Sequence, residues 1–209
     1  MSDQQIQAWL QDLARLDGDP VIEEMEEQAR REDFPMVGPQ VGRLLFQLAR
    51  LTGARHIFEM GSGFGYSTLW LTRGAGPGAR IHHTDGSGER SRQAREYLRR
   101  AGVADQIDFH VGDAREVLQR TPGEMDLIFM DIDKHQYPSA YELLRERVRP
   151  GGLVVVDNLV WDGRVAAGDG DPDTEGVREY LRRMWQDPEY LSSLMPVRDG
   201  VGISLRLGG

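Results

Sequence analysis

The stretch Ile57-Phe-Glu-Met-Gly-Ser-Gly-Phe-Gly-Tyr-Ser67 decides how the rest of the chain is read. An apolar run of strand length carries a glutamate at 59, glycines follow at 61, 63 and 65, and Tyr66 to Thr72 continues without a breaker. Strand, glycine loop and helix in that order form the opening unit of a nucleotide-binding α/β sheet. Glycine lets the backbone approach a ligand closely, and the next helix begins with unsatisfied N–H groups. The spacing Gly-x-Gly-x-Gly misses the Gly-x-Gly-x-x-Gly phosphate fingerprint by one residue. A purely structural turn would use the same residues, so the neighbouring segments decide.

Downstream, strands are expected over 56–60, 80–84, 106–110, 126–130 and 152–157, and helices over 66–73, 88–101, 113–120, 137–148 and 174–187. Alternation at this spacing predicts βαβ units and a parallel sheet. Asp126-Leu-Ile-Phe-Met130 and Leu153-Val-Val-Val156 are near-continuous apolar runs, as central parallel strands should be. Segments 190–197 and 201–207 flank Arg198-Asp-Gly200 and predict a closing antiparallel hairpin. Upstream, helical spacing over 3–16, 20–33 and 39–52 predicts a helical extension, residues 1–53, on an α/β core of 54–209. The extension serves either as packing or as a lid, and Phe34-Pro-Met-Val-Gly-Pro39 interrupts it. The expected fold is one α/β domain: a Rossmann-like, mostly parallel seven-stranded sheet with helices on both faces.

The 209 residues contain no cysteine, which excludes disulfides, thiolate metal sites and a cysteine nucleophile. No apolar run reaches membrane-spanning length and Met1-Ser-Asp-Gln-Gln5 lacks the regions of a signal peptide, so a cytoplasmic protein is expected. A formal charge of −9 argues against a general nucleic-acid surface, although Arg90, Arg92, Arg95, Arg99 and Arg100 share one expected helix. Of 25 basic residues, 24 are arginine and one is Lys134. Arginine is not deprotonated in proteins, whereas a lysine beside a cation or an apolar wall can serve as a base.

Ligands of such sheets gather at the carboxyl ends of the strands. Every expected strand ends in an acid there: Glu59, then Asp85, Asp113, Asp131 with Asp133, and Asp157 beside Asn158. Asp85 lies twenty residues after Gly65, where an acid can bond a ribose diol. Asp113 can meet an adenine amino group and can equally cap the helix that follows. An acid-lined pocket suits an adenosine ligand without phosphates and would repel the pyrophosphate of NAD. Asp131, Asp157 and Asn158 offer oxygen ligands only, the donor set of Mg²⁺, Mn²⁺ or Ca²⁺. Lys134 follows Asp131 closely enough to take a proton from a hydroxyl held at such a cation. His135 is an alternative base, although a loop histidine is usually just solvated.

These residues resemble the cation-dependent class I S-adenosylmethionine O-methyltransferases, the catechol and caffeoyl-CoA O-methyltransferases with their bacterial relatives. The resemblance covers about residues 36–207 and is carried by Glu59-Met-Gly-Ser-Gly-Phe-Gly-Tyr-Ser67, Gly112-Asp-Ala114, Met130-Asp-Ile-Asp-Lys134, Pro150-Gly-Gly152, Asp157-Asn-Leu-Val-Trp161-Asp-Gly-Arg-Val165 and Leu194-Met-Pro-Val-Arg-Asp-Gly200. It implies that Glu59, Gly61, Gly63, Tyr66 and Ser67 hold the methionine part of S-adenosylmethionine. Asp85 would take the ribose, and Asp113 and Ala114 the adenine. Asp131, Asp157 and Asn158 would bind the metal, with Asp131 also beside the cofactor and Lys134 as general base. Met36 and Trp161 would close over a small aromatic acceptor, and a homodimer is implied. Two departures stand out: a polar second strand, and Asp85-Gly-Ser-Gly88 in place of the family's more regular acidic turn. Two other readings draw on the same residues, methylation of hydroxylated uridine in transfer RNA and a nicotinamide-dependent dehydrogenase. The glycine spacing, the metal-type acids and the terminal hairpin oppose the latter.

Overall fold

The computed structural model describes residues 3–14, 18–167 and 170–208; the expected end of the first helix at 15 and 16, and residues 168 and 169 of the loop 160–173, lie outside the described residues. The N-terminal helices are α1 (Asp3–Ala14), α2 (Pro20–Glu32) and α3 (Gly38–Leu51). Then come β1 (His56–Met60), α4 (Tyr66–Ala75), β2 (Arg80–Asp85), α5 (Gly88–Arg100), β3 (Ile107–Val111), α6 (Ala114–Arg120), β4 (Met125–Met130), α7 (Tyr137–Arg147) and β5 (Val148–Val156). The chain closes with a one-turn α8 (Arg164–Ala167), α9 (Pro172–Gln186), β6 (Tyr190–Met195) and β7 (Val201–Arg206). No helix among the described residues is long and apolar enough to cross a membrane.

The seven strands form one sheet in the order β3-β2-β1-β4-β5-β7-β6, parallel except where β7 pairs antiparallel with both β5 and β6. The order reverses between β1 and β4, the point where open α/β sheets leave a crevice at their carboxyl edge. Alternating side chains feed two cores. Ile57, Leu127, Phe129 and Val155 pack with Ile22, Met25, Val41, Leu45 and Leu69 on one face. Phe58, Ile128, Met130 and Val154 pack with Leu118, Tyr137, Leu144 and Tyr180 on the other.

The N-terminal helices α2 and α3 are thus a layer of the first core. Asp19 caps α2 by accepting from the N–H groups of Val21 and Ile22 at 3.2 Å, with Pro20 in the first turn. Ion pairs from Asp19 to Arg73, Glu24 to Arg100 and Glu32 to Arg90, plus a 2.7 Å bond from the Tyr66 hydroxyl to Glu26, fasten α2 to α4 and α5.

The main difference from expectation is β5, which begins at Val148 rather than 152. Its pairing jumps from Met125↔Val148 to Leu127↔Leu153, so the extra residues around Pro150-Gly-Gly152 bulge out of register before the strand resumes. The payload for function is a single row: Met60, Met130 and Val156 are paired across β1, β4 and β5, and each is followed at once by a candidate site residue, Gly61, Asp131 and Asp157.

Candidate active site

A cavity of about 560 Å³ opens at that carboxyl edge. Of the residues expected at the site, Met36, Gly61, Gly63, Tyr66, Ser67, Asp85, Asp113, Ala114, Asp131, Lys134, Asp157, Asn158 and Trp161 all line it. Glu59 does not: it is fully buried one layer below the glycine loop.

The glycine loop owes its composition to close packing within the protein itself. Gly61 has φ 83° and passes so close to the Asp131 carbonyl that a Cβ would lie 2.8 Å from its carbon. At Gly63 (φ 53°) a Cβ would meet the Phe34 ring at 2.9 Å, and its N–H donates to Asp85 at 2.8 Å. Phe34 in turn lies 4.9 Å from Phe64, so the breaker segment after α2 folds down onto the loop.

Beneath it, Thr68 donates to Glu59, and the Thr68 hydroxyl lies 3.1 Å from Nδ1 of buried His83. Burial pushes the Glu59 carboxyl up from 4.5 to about 7, against hydrogen bonds that hold it down. Its Oε1 has no hydrogen-bond partner among the described residues. A buried acceptor without a partner, one layer below a loop that lines the cavity, is a candidate to orient the cationic end of an amino-acid ligand.

The acids differ sharply in what holds them. Asp85 accepts from Gly63 N–H and, at 2.7 Å, from Ser87 N–H. Asp113 takes the capping role, accepting from Arg115 N–H at 2.8 Å and pairing with the Arg115 guanidinium at 2.6 Å, which brings its carboxyl down to about 2. Lys134 Nζ donates to Asp131 Oδ1 at 2.8 Å and lies 5.6 Å from the Trp161 ring centre.

Asp157 is 1% exposed, and its Oδ1 finds no partner among the described residues. Burial, then the charge of Asp131, lifts its carboxyl to about 7. Two carboxylates on adjacent strands, an amide oxygen beside them and an orphaned buried oxygen fit a hard divalent cation. No cluster of three acids, histidines or cysteines of metal-binding arrangement occurs among the described residues, so the third ligand would come from Asn158.

Sequence reasoning missed several lining residues, among them Phe34, Gln136 and Arg198. The loop 158–163 is knitted to the β6–β7 turn: Leu159 N–H donates to Gly200 O at 2.9 Å, Val160 N–H to Asp199 O at 2.7 Å and Asp162 N–H to Asp199 Oδ1 at 2.6 Å. Asn158, Trp161, Asp162 and Arg198 all adopt left-handed backbone at this seam. Such outliers persist where surrounding structure enforces them and collect at ligand sites.

Sheet order, glycine loop and acid-ended strands together define a class I S-adenosylmethionine-dependent methyltransferase. The O-methyltransferase family model matches residues 14–207, and the chain belongs to that family. It is 36% identical over 153 residues to a catechol O-methyltransferase of Mycobacterium tuberculosis, covering 73% of this chain and 70% of the relative. It is 32% identical over 178 residues to caffeoyl-CoA O-methyltransferase 1 of Eucalyptus globulus, covering 79% and 72%. Among solved structures, the O-methyltransferase TomG of Streptomyces achromogenes, involved in tomaymycin synthesis and in complex with S-adenosylmethionine, superposes with a TM-score of 0.89 at 28% identity, covering 100% of both chains.

Proposed function

We propose that this protein transfers the methyl group of S-adenosylmethionine to one hydroxyl of a vicinal dihydroxy aromatic, in a reaction that depends on a divalent cation. The observation that carries this reading is the partnerless, buried Asp157 oxygen beside Asp131, with Lys134 bonded to the latter. The relatives named for catechol and caffeoyl-CoA and the structure holding S-adenosylmethionine support it.

Asp131, Asp157 and Asn158 would hold the cation, which lowers the pKa of a hydroxyl bound to it. With the cation in place, Lys134 in its neutral amine form would accept the hydroxyl proton, and Asp131 would hold the resulting ammonium. The sulfonium methyl is already electrophilic, so the protein's remaining task is alignment and exclusion of water. Glu59 and the loop from Gly61 to Ser67 place the amino-acid end of the donor, and Asp85, Asp113 and Ala114 its nucleoside. Trp161 and the 34–37 segment cover the acceptor. With α2 and α3 built into the core, any lid function falls to this short segment rather than to the whole extension.

A small aromatic suits the cavity better than transfer RNA does. On α5, Arg90 is paired with Glu32, Arg99 with Glu96 and Arg100 with Glu24, and Arg95 lies over the Phe109 ring, so most of the arginines of that helix already have a partner.

The test is methyl transfer to a catechol panel with Mg²⁺ and with EDTA, run alongside Lys134→Ala and Asp157→Ala. A positioned base is worth roughly 10²–10⁴-fold in rate, so Lys134→Ala should lose about that much while still binding S-adenosylmethionine in calorimetry. Turnover that survives EDTA, or survives both substitutions, sinks the proposal.

A further inference from the structure

We propose that Arg198 selects acceptors carrying a carboxylate, so that the preferred substrate is an anionic catechol rather than a neutral one. This rests on the catechol reading above. The cavity wall carries Asp85, Asp113, Asp131, Asp133 and Asp157 against two cations, Lys134 and Arg198. A wall of that sign repels an anionic acceptor unless a cation is placed to receive it. Lys134 is committed to Asp131. Arg198 has no ion-pair partner among the described residues; its one hydrogen bond runs from Nη1 to the Met36 carbonyl at 2.7 Å, leaving its other N–H groups for a ligand.

Its placement is fixed rather than incidental. Arg198 has φ 50° in the turn between β6 and β7, a backbone that ordinary side chains adopt rarely. The bonds from Leu159, Val160 and Asp162 to Asp199 and Gly200 pin that turn against the loop bearing Trp161. Through Met36, the guanidinium also touches the segment that covers the cavity. It therefore lines the cavity, exposed to solvent, where the 34–37 segment meets the turn that holds the Trp161 loop, within reach of an acceptor that also lies against Trp161. Planar guanidinium groups bind carboxylates bidentately, and that geometry makes arginine the suitable cation here.

The experiment compares dihydrocaffeate with its amide, which share the catechol ring and differ in charge, by the ratio of their kcat/KM values. Wild type should favour the acid by about tenfold at low salt, eroding as ionic strength rises. Arg198→Asn keeps a residue that tolerates left-handed backbone and should bring the ratio close to one through KM; Arg198→Lys should keep it above one. A purely structural arginine would lower both acceptors alike and leave the ratio unmoved. Turnover of the amide with no preference for the acid in wild type overturns the inference while the catechol reading stands, and so does a ratio unchanged in Arg198→Asn. Turnover of neither acceptor overturns the catechol reading and this inference with it.

Discussion

Replacing Gly61 with alanine would press a methyl group into the main chain of Asp131, 2.8 Å from the carbonyl carbon and closer still to its oxygen. Both partners are backbone, so no side-chain rotation relieves the contact. The left-handed φ of 83° costs an alanine about 1 kcal/mol by itself. Forcing apart two packed segments adds roughly 1–3 kcal/mol. For a chain of this size each kcal/mol lowers Tm by roughly 2–4 °C, so Gly61→Ala should melt about 5–15 °C below wild type. Gly53→Ala is the control: its φ is 59° but nothing lies within 4 Å of the added Cβ, so it should carry the left-handed cost alone. The damage at 61 should also reach the site, because Gly61 and Asp131 leave β1 and β4 from the paired Met60 and Met130. Thermal denaturation and calorimetric binding of S-adenosylmethionine measure both effects. Equal melting of the two variants, with unchanged affinity, would show that close approach of β1 and β4 is not what demands glycine at 61.

Glu59 gives a pH prediction. Its folded pKa of about 7 lies above the ordinary 4.5, so the unfolded chain ionises first and the stability contribution, complete below about 4.5, is lost as pH rises toward 7. At about 1.4 kcal/mol per pKa unit the ceiling is about 3 kcal/mol. Glu59→Gln should therefore gain on wild type between pH 5 and 8 in urea denaturation (flat difference across that range refutes it), while binding S-adenosylmethionine more weakly. Asp157→Asn removes a buried carboxylate that has no partner for Oδ1 among the described residues and faces Asp131, so it should raise Tm without added metal and abolish the Tm increase expected of Mg²⁺ on the wild-type protein. A lower Tm in the metal-free variant would contradict that account.

Much of this architecture was legible because parallel strands buried on both faces are written as apolar runs. β1 at His56–Met60 and β4 at Met125–Met130 stand within a residue of expectation, and the acids that follow them define the functional edge. The start of β5 was hidden because Arg149-Pro-Gly-Gly152 has the composition of a turn; pairing of Val148 with Met125 overrides that local preference. Asp113 could be read as cap or ligand, and only the position of Arg115 shows the cap satisfied. Other features depend on register across strands. His56, His82 and His110 lie in a hydrogen-bonded line, 2.9 and 3.1 Å between ring nitrogens, though they are far apart in sequence. Arg198 left no sequence signal of a cavity role, because it takes the folded hairpin and the Met36 carbonyl to bring it there.

The acids at the carboxyl edge also explain one another. Asp85 is satisfied by backbone N–H groups, Asp113 by Arg115 and Asp131 by Lys134, which leaves Asp157, among the acids of the cavity wall, with a buried oxygen that has no direct partner among the described residues. The positive charges that bear on it, Arg198 and Lys134, are the two cations of the cavity wall. On the proposed chemistry these two side chains have other work: Lys134 must accept a proton and Arg198 must meet an acceptor's carboxylate. A divalent cation between Asp131 and Asp157 would supply the charge that both carboxylates lack and so release both side chains. On that proposal, metal binding, base function and acceptor choice would be coupled through one electrostatic deficit. It follows that charge-removing substitutions at Asp157 and Arg198 should not act additively on the preference for anionic acceptors.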